Sequence, residues 1–369
     1  MRVIPTPEEL AAGVANAYDA FIGGGIADTR PMRSSIIDEG PKRAVHRYWP
    51  RPDAVSPHGA PVLLVPPLAA PAFCFDLRRG CSLVEYLLEA GRKVYLVDYG
   101  QIAFSDRNLG IEDWVEDILP SAIAAVHEDS GGEDLQLVGW CLGGIMSLLA
   151  MAEKPLPVRS LAMVASPFDF TQVPMVAPLR PLVDFTGGRI VTSLYRVMGG
   201  APKRLVKYAY QLAAFDKYVT KPLAIARNLD DRDFLAQIEA VDRFTANMAA
   251  YPGRTFGQLY HRFFRINDLA DGTIDLDGDT IRLAGVDTPV MSIAGEGDGI
   301  APVGAVHAVR EFLPGVRIDT APGGHLGVLT GRAARRTTWP MIEEWLGEHD
   351  PRRGREAAPP LAPRPLQTA

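Results

Sequence analysis

Short apolar runs alternate with longer amphipathic segments through the first 165 positions. Val62 to Val65, Val94 to Val97, Leu135 to Val138 and Leu161 to Val164 are nearly continuous in apolar side chains. That is the pattern of strands covered on both faces of a mostly parallel sheet. Between them lie predicted helices. Ser82 to Ala90 has Ser82 and Glu85 at the spacing of a capping box and Gly91 as a stop. Ile111 to His127 contains Pro120, which predicts a kink or break. Ile145 to Met151 follows the third run. The alternation predicts an α/β fold. It stops at Ser166. From there to about Ala270 the pattern is helical and rich in aromatics: Phe168, Phe170, Phe185, Tyr195, Tyr208, Tyr210, Phe215, Tyr218, Phe244, Phe256, Tyr260, Phe263 and Phe264. This stretch reads as a helical cap inserted over the carboxyl edge of the sheet. Strands resume at Val290 to Ala294 and Val316 to Thr320, with a helix over Gly304 to Phe312 between them. The expected organisation is an N-terminal extension (1–60), a first core half (61–165), the cap (166–285), a second core half (286–348) and a proline-rich disordered tail (349–369).

Composition narrows the class. The 369 residues are 47% hydrophobic and 22% charged, as in an ordinary soluble globular protein. A net charge of -6 gives no electrostatic reason to expect nucleic acid. Cys74, Cys81 and Cys141 have neither metal-ligand spacing nor an even disulfide count, which fits a reducing compartment and a cytoplasmic location. The first 21 residues carry Glu8 and Glu9 and no continuous apolar core, so a signal peptide is not expected. No apolar run is long enough to span a membrane. Asp275, Asp277 and Asp279 resemble the start of a calcium loop, but the glycine is misplaced and Val286 stands where its glutamate belongs. A hairpin turn at Asp277-Gly278 is expected instead. Neither metal nor cofactor is expected.

The candidate chemistry lies after the third run. Gly139-Trp140-Cys141-Leu142-Gly143 reads G-x-C-x-G between a strand and a helix. This matches the nucleophile elbow of α/β-hydrolases with sulfur in place of the hydroxyl. The glycines allow neighbours to lie almost against a strained nucleophile. The helix N-terminus favours a thiolate, and the Leu142 N–H is placed as an oxyanion donor. A thioester on sulfur suits acyl transfer. The bland alternative is a buried structural cysteine. In this fold the order is nucleophile, acid, histidine. Asp298 follows the strand ending at Ala294, with Glu296 as the rival acid, and His325 follows Gly323-Gly324 after the next strand. His46, His58, His127 and His349 read as surface residues. His261 and His307 fall in helical segments.

These residues resemble polyhydroxyalkanoate synthases, which polymerise 3-hydroxyacyl groups from coenzyme A. The likeness runs from about Pro61 to Leu346. It includes the cysteine box through Gly144, Asp298 followed by Pro302, Gly323-Gly324-His325, Val94 to Gly100 and Ser166-Pro167-Phe168-Asp169-Phe170. Its length suits the catalytic subunit of the two-subunit classes. The resemblance implies that His325 activates Cys141 against acyl-CoA and that Asp298 activates the 3-hydroxyl of the next unit. It also implies that Leu142 and Leu68 or Ala69 donate backbone N–H groups to the oxyanion. The partners it implies are acyl-CoA, a second synthase subunit or a homodimer, and a polyester granule surface. Ala70 stands near where the family carries asparagine, and Tyr99 where tryptophan is common. Two other readings remain open: a cysteine thioesterase with dienelactone-hydrolase-like chemistry, and a non-catalytic module that binds granules or a partner.

Overall fold

A computed structural model of the chain describes residues 6–52, 55–174, 200–204, 206 and 215–351. Much of the predicted cap, including Phe185, Tyr195, Tyr208 and Tyr210, and the predicted tail beyond residue 351 lie outside the described residues.

An eight-stranded sheet organises the rest. In chain order its strands are β1 (Ser34–Gly40), β2 (Arg43–Tyr48), β3 (His58–Val65), β4 (Arg92–Asp98), β5 (Leu135–Trp140), β6 (Val158–Val164), β7 (Val290–Gly295) and β8 (Arg317–Ala321). Their spatial order is β1-β2-β4-β3-β5-β6-β7-β8. The first two pairings, β1 with β2 and β2 with β4, are antiparallel, and all others are parallel. The four apolar runs and the first late one lie within strands, and the last run, Val316 to Thr320, overlaps β8 from Arg317 onward. In β5 and β7 every residue is buried, as a strand covered on both faces requires. Each fully buried Leu, Ile or Val there contributes about 1.5–3 kcal/mol.

Two strands arise in the stretch set apart as an N-terminal extension. The hairpin of β1 and β2 adds to the core sheet, so residues before 61 belong to it. β1 is the edge, and its exposed Ser34 and Ser35 and its acidic Asp38 and Glu39 discourage further pairing.

Helices cover both faces. In α2 (Leu83–Glu89) the Ser82 hydroxyl accepts from the Glu85 N–H at 3.0 Å. Only half of the predicted capping box forms. The Glu85 carboxylate instead accepts from the Gly80 N–H at 2.9 Å and pairs with Arg51. Pro120 breaks its helix as expected: a π-helical stretch over Asp113–Ile118 gives way to α3 (Leu119–Asp129). Pro120 has no N–H to donate four residues back, and the Glu116 carbonyl accepts from Lys154 Nζ at 2.6 Å. α4 (Leu142–Glu153) leaves β5 and is buried from Leu142 to Ala150. The predicted helix after β7 is shorter, α-helical over Val303–His307 and 3₁₀ over Ala308–Glu311. Asp277 and Gly278, both at positive φ, turn the hairpin of Thr273–Leu276 and Asp279–Arg282.

Of the described cap, the helix over Arg232–Ala246 reaches the elbow through Phe244, whose ring lies 6.0 Å from that of Trp140. The N-terminal segment straps it down. The Glu239 carboxylate accepts from Ile26 N–H at 2.6 Å and Ala27 N–H at 3.0 Å, and Asn16 Nδ2 donates to the Leu229 carbonyl at 2.8 Å.

Candidate active site

β5 ends at Trp140, and the chain reverses into α4 at Cys141. Cys141 holds φ 53° and ψ -120°, a conformation a side chain rarely adopts. Its N–H donates to the Val164 carbonyl at 2.8 Å, and its own carbonyl accepts from Ser166 Oγ at 2.8 Å. The turn is too tight for side chains beside it. A Cβ on Gly139 would lie 2.5 Å from Gly144 Cα, and one on Gly143 would lie 2.2 Å from the Val65 carbonyl oxygen. Both glycines are therefore steric requirements of the turn.

Asp298 and His325 come from the loops after β7 and β8. His325 Nδ1 lies 2.8 Å from Asp298 Oδ2. The other carboxylate oxygen, Oδ1, accepts from the Ile300 and Ala301 N–H groups, each at 2.8 Å. Asp298 is buried, whereas the rival Glu296 is exposed. Gly323 reaches φ +133°, where a Cβ would meet Val328 N at 2.8 Å, so the loop bearing His325 needs glycine there.

His325 Nε2 is buried without a hydrogen bond of closed geometry. Burial opposes the imidazolium, but the neighbouring charges of Cys141 and Asp298 outweigh it and raise His325 to about 10. The structure thus brings Cys141, His325 and Asp298 together. Among the described residues, no hydrogen bond is made by the Leu142 or Leu68 N–H group to a protein acceptor. Leu68 lies in the turn after β3 that Gly143 presses against.

The other two cysteines differ. Burial pushes the Cys74 thiol well up, and it pushes up Cys81, whose Sγ donates to the Thr330 carbonyl. No group of three or more His, Cys, Asp or Glu among the described residues is arranged to hold a metal ion. No helix among them is long and apolar enough to cross a membrane.

Ser166, Trp140 and Tyr251 at the site were not singled out for it in the sequence. Burial raises the Tyr251 phenol, and the charge of nearby Cys141 raises it further. The Trp140 indole lies against the His325 ring, centroids 5.4 Å apart. Trp140 was visible as the variable position of the cysteine box, but its contact needs the loop after β8 to be in place. Nothing local marks Tyr251.

The family model for the alpha/beta hydrolase fold matches residues 60–332. The chain belongs to this family. Among curated proteins it is similar to the poly(3-hydroxyalkanoate) polymerase subunit PhaC of Thiocystis violacea, 27% identical over 355 residues, covering 93% of this chain and 98% of that one. It is also similar to the subunit of the same name from Haloferax mediterranei, 26% identical over 294 residues and covering 79% of this chain. It spans only 59% of that archaeal relative's length. Among solved structures, a carboxylesterase from Nitrososphaera gargenis superposes with a TM-score of 0.50 at 15% identity, covering 85% of this chain and 98% of that one. That likeness carries the α/β-hydrolase fold alone.

Proposed function

We propose that this chain is an acyltransferase of the polyhydroxyalkanoate-synthase type, in which Cys141 carries a 3-hydroxyacyl group received from coenzyme A. The observation behind this reading is a cysteine, rather than a serine, held at positive φ on the elbow beside a buried His325–Asp298 pair. The similarity to polymerase subunits over nearly the whole chain supports the substrate class.

In this mechanism the Cys141 thiol gives its proton to His325 Nε2 and attacks the thioester carbonyl of 3-hydroxyacyl-CoA. The oxyanion accepts from the Leu142 and Leu68 N–H groups. Collapse breaks the bond to the CoA sulfur, which takes the proton from His325, and the acyl group stays on Cys141. The hydroxyl of a second unit then loses its proton to His325 and attacks this new thioester. An ester bond forms, and the Cys141 sulfur leaves and is reprotonated by His325. Asp298 orients and stabilises His325 in both steps. Its oxygens already accept one imidazole and two backbone N–H groups, and the side chain is fully shielded. That arrangement argues against Asp298 itself taking the proton of the incoming hydroxyl.

The test supplies 3-hydroxybutyryl-CoA to the purified chain and measures free CoA and polymer. Wild type is expected to release CoA and extend polymer, and Cys141→Ser is expected to lose on the order of 10³-fold or more. Free 3-hydroxybutyrate as the sole product would establish the thioesterase reading instead. No CoA release, even with a synthase partner subunit added, would overturn both.

A further inference from the structure

Trp140 is the elbow residue whose side chain the proposed reaction leaves without a role. It is large, 1% exposed, and fixed at the end of β5, where its backbone pairs with Val164 of β6. Two contacts link it to His325. The indole Nε1–H donates to the His325 carbonyl at 3.3 Å, and the two rings lie 5.4 Å apart at 37°. A third contact reaches the cap. The ring of Phe244, on the Arg232–Ala246 helix, lies 6.0 Å from Trp140, and Phe73 packs edge-on against Phe244 at 6.4 Å.

His325 needs such support. Its loop begins with Gly323 and Gly324, which restrain the backbone little. Asp298 fixes one nitrogen of the ring, but a single hydrogen bond leaves the residue free to pivot about it. The indole adds a second point on the backbone and a surface for the ring.

We propose that Trp140 is a positioning residue that sets His325 against Cys141, and that the cap helix holds Trp140 in place through Phe244. This rests on Cys141 and His325 being the reacting pair. The cap then does more than roof the site: its seating decides whether the histidine is aligned. Among the described residues, the charged or titratable groups acting on His325 are Asp298 and Cys141, and Tyr251 in turn faces Cys141. None is altered by changing Trp140 or Phe244.

The experiment compares wild type with Trp140→Phe, Trp140→Leu and Phe244→Leu. It reads kcat and KM for CoA release from 3-hydroxybutyryl-CoA, the pH profile of Cys141 alkylation by iodoacetamide, and the melting temperature. Trp140→Phe keeps a ring and loses the N–H, so kcat is expected to fall about 3- to 10-fold with KM little changed. Trp140→Leu should fall further, and Phe244→Leu should show the same signature from the cap side. Alkylation of Cys141 in each is expected to slow relative to wild type. Melting temperatures that drop while kcat and the alkylation profile stay within about twofold of wild type would make Trp140 mere packing and overturn the proposal. Phe244→Leu guards against a Trp140 variant that does not fold. Should wild-type Cys141 itself alkylate no faster than an unfolded control, the reacting pair fails and the role of Trp140 falls with it.

Discussion

Replacing Asp298 by asparagine keeps the shape of the side chain and removes one proton's worth of logic. The carboxylate accepts three hydrogen bonds: His325 Nδ1–H at 2.8 Å and the Ile300 and Ala301 N–H groups at 2.8 Å. An amide has one oxygen. If that oxygen keeps the two backbone donors, its NH₂ faces Nδ1, and the imidazole must shift its proton to Nε2. In that tautomer Nε2 cannot accept from Cys141. If the amide flips, two buried backbone donors lose their acceptor, at about 1–3 kcal/mol each. The first arrangement is favoured, and its cost falls on catalysis. The same change in a serine-protease triad lowers kcat about 10⁴-fold, equivalent to about 5.5 kcal/mol of barrier. We therefore expect Asp298→Asn to release CoA from 3-hydroxybutyryl-CoA about 10⁴-fold more slowly in a single turnover, while circular dichroism and the thermal transition stay close to wild type. A rate within tenfold of wild type would refute the assignment of Asp298 as the orienting acid. A rate loss that only tracks unfolding would refute the tautomer argument.

Gly143→Ala would set a Cβ 2.2 Å from the Val65 carbonyl oxygen and 2.7 Å from that of Pro66, so the turn bearing Leu68 or the start of α4 must give way. We expect a stability loss of about 1–3 kcal/mol in urea titration and a rate loss on the order of 10²-fold; an active, equally stable variant would contradict the close approach. Iodoacetamide on the native protein at pH 7 should label Cys141 and spare Cys74 and Cys81, whose thiols burial pushes up; peptide mapping showing Cys74 modified first would contradict this. Burial works against the charge of Asp169, but hydrogen bonds from Thr171, Gln172 and Asn267 prevail and lower its pKa. Because the folded value lies below the unfolded one, its stabilisation is present above about pH 4 and is lost as pH falls through the folded value. Asp169→Asn should therefore be less stable at pH 7 and lose less on acidification; an unchanged acid limb in thermal melts would refute this.

The strands legible as continuous apolar runs lie within the sheet, where cover on both faces favours apolar side chains throughout; β8, an edge strand with only Ala321 buried, was legible without that cover. β1 and β2 were not. Ser34, Ser35, Asp38 and Glu39 face water at the sheet edge, and β2 buries only Val45 and Tyr48. No apolar run can mark such a hairpin. Cys141 and His325 were readable because glycines near them meet a tight turn or close approach, and Asp298 because it follows a late strand; such signals act within a few residues. The contacts of Trp140 with Phe244 and His325 join segments about 100 and 185 residues away in sequence, and only the packed cap and the last loops create them.

The sheet order has a consequence for synthesis. β6 is complete at Val164, but its partner β7 begins at Val290. During translation at about 5–20 residues per second, the edge of β6 therefore waits roughly 6–25 s for its neighbour. The nascent chain must keep that edge from pairing elsewhere. Cys141 is made early, while Asp298 and His325 arrive with the closing strands. On the ribosome the thiol thus remains without its base, and the partnership that would make it reactive forms only after the closing strands have been made.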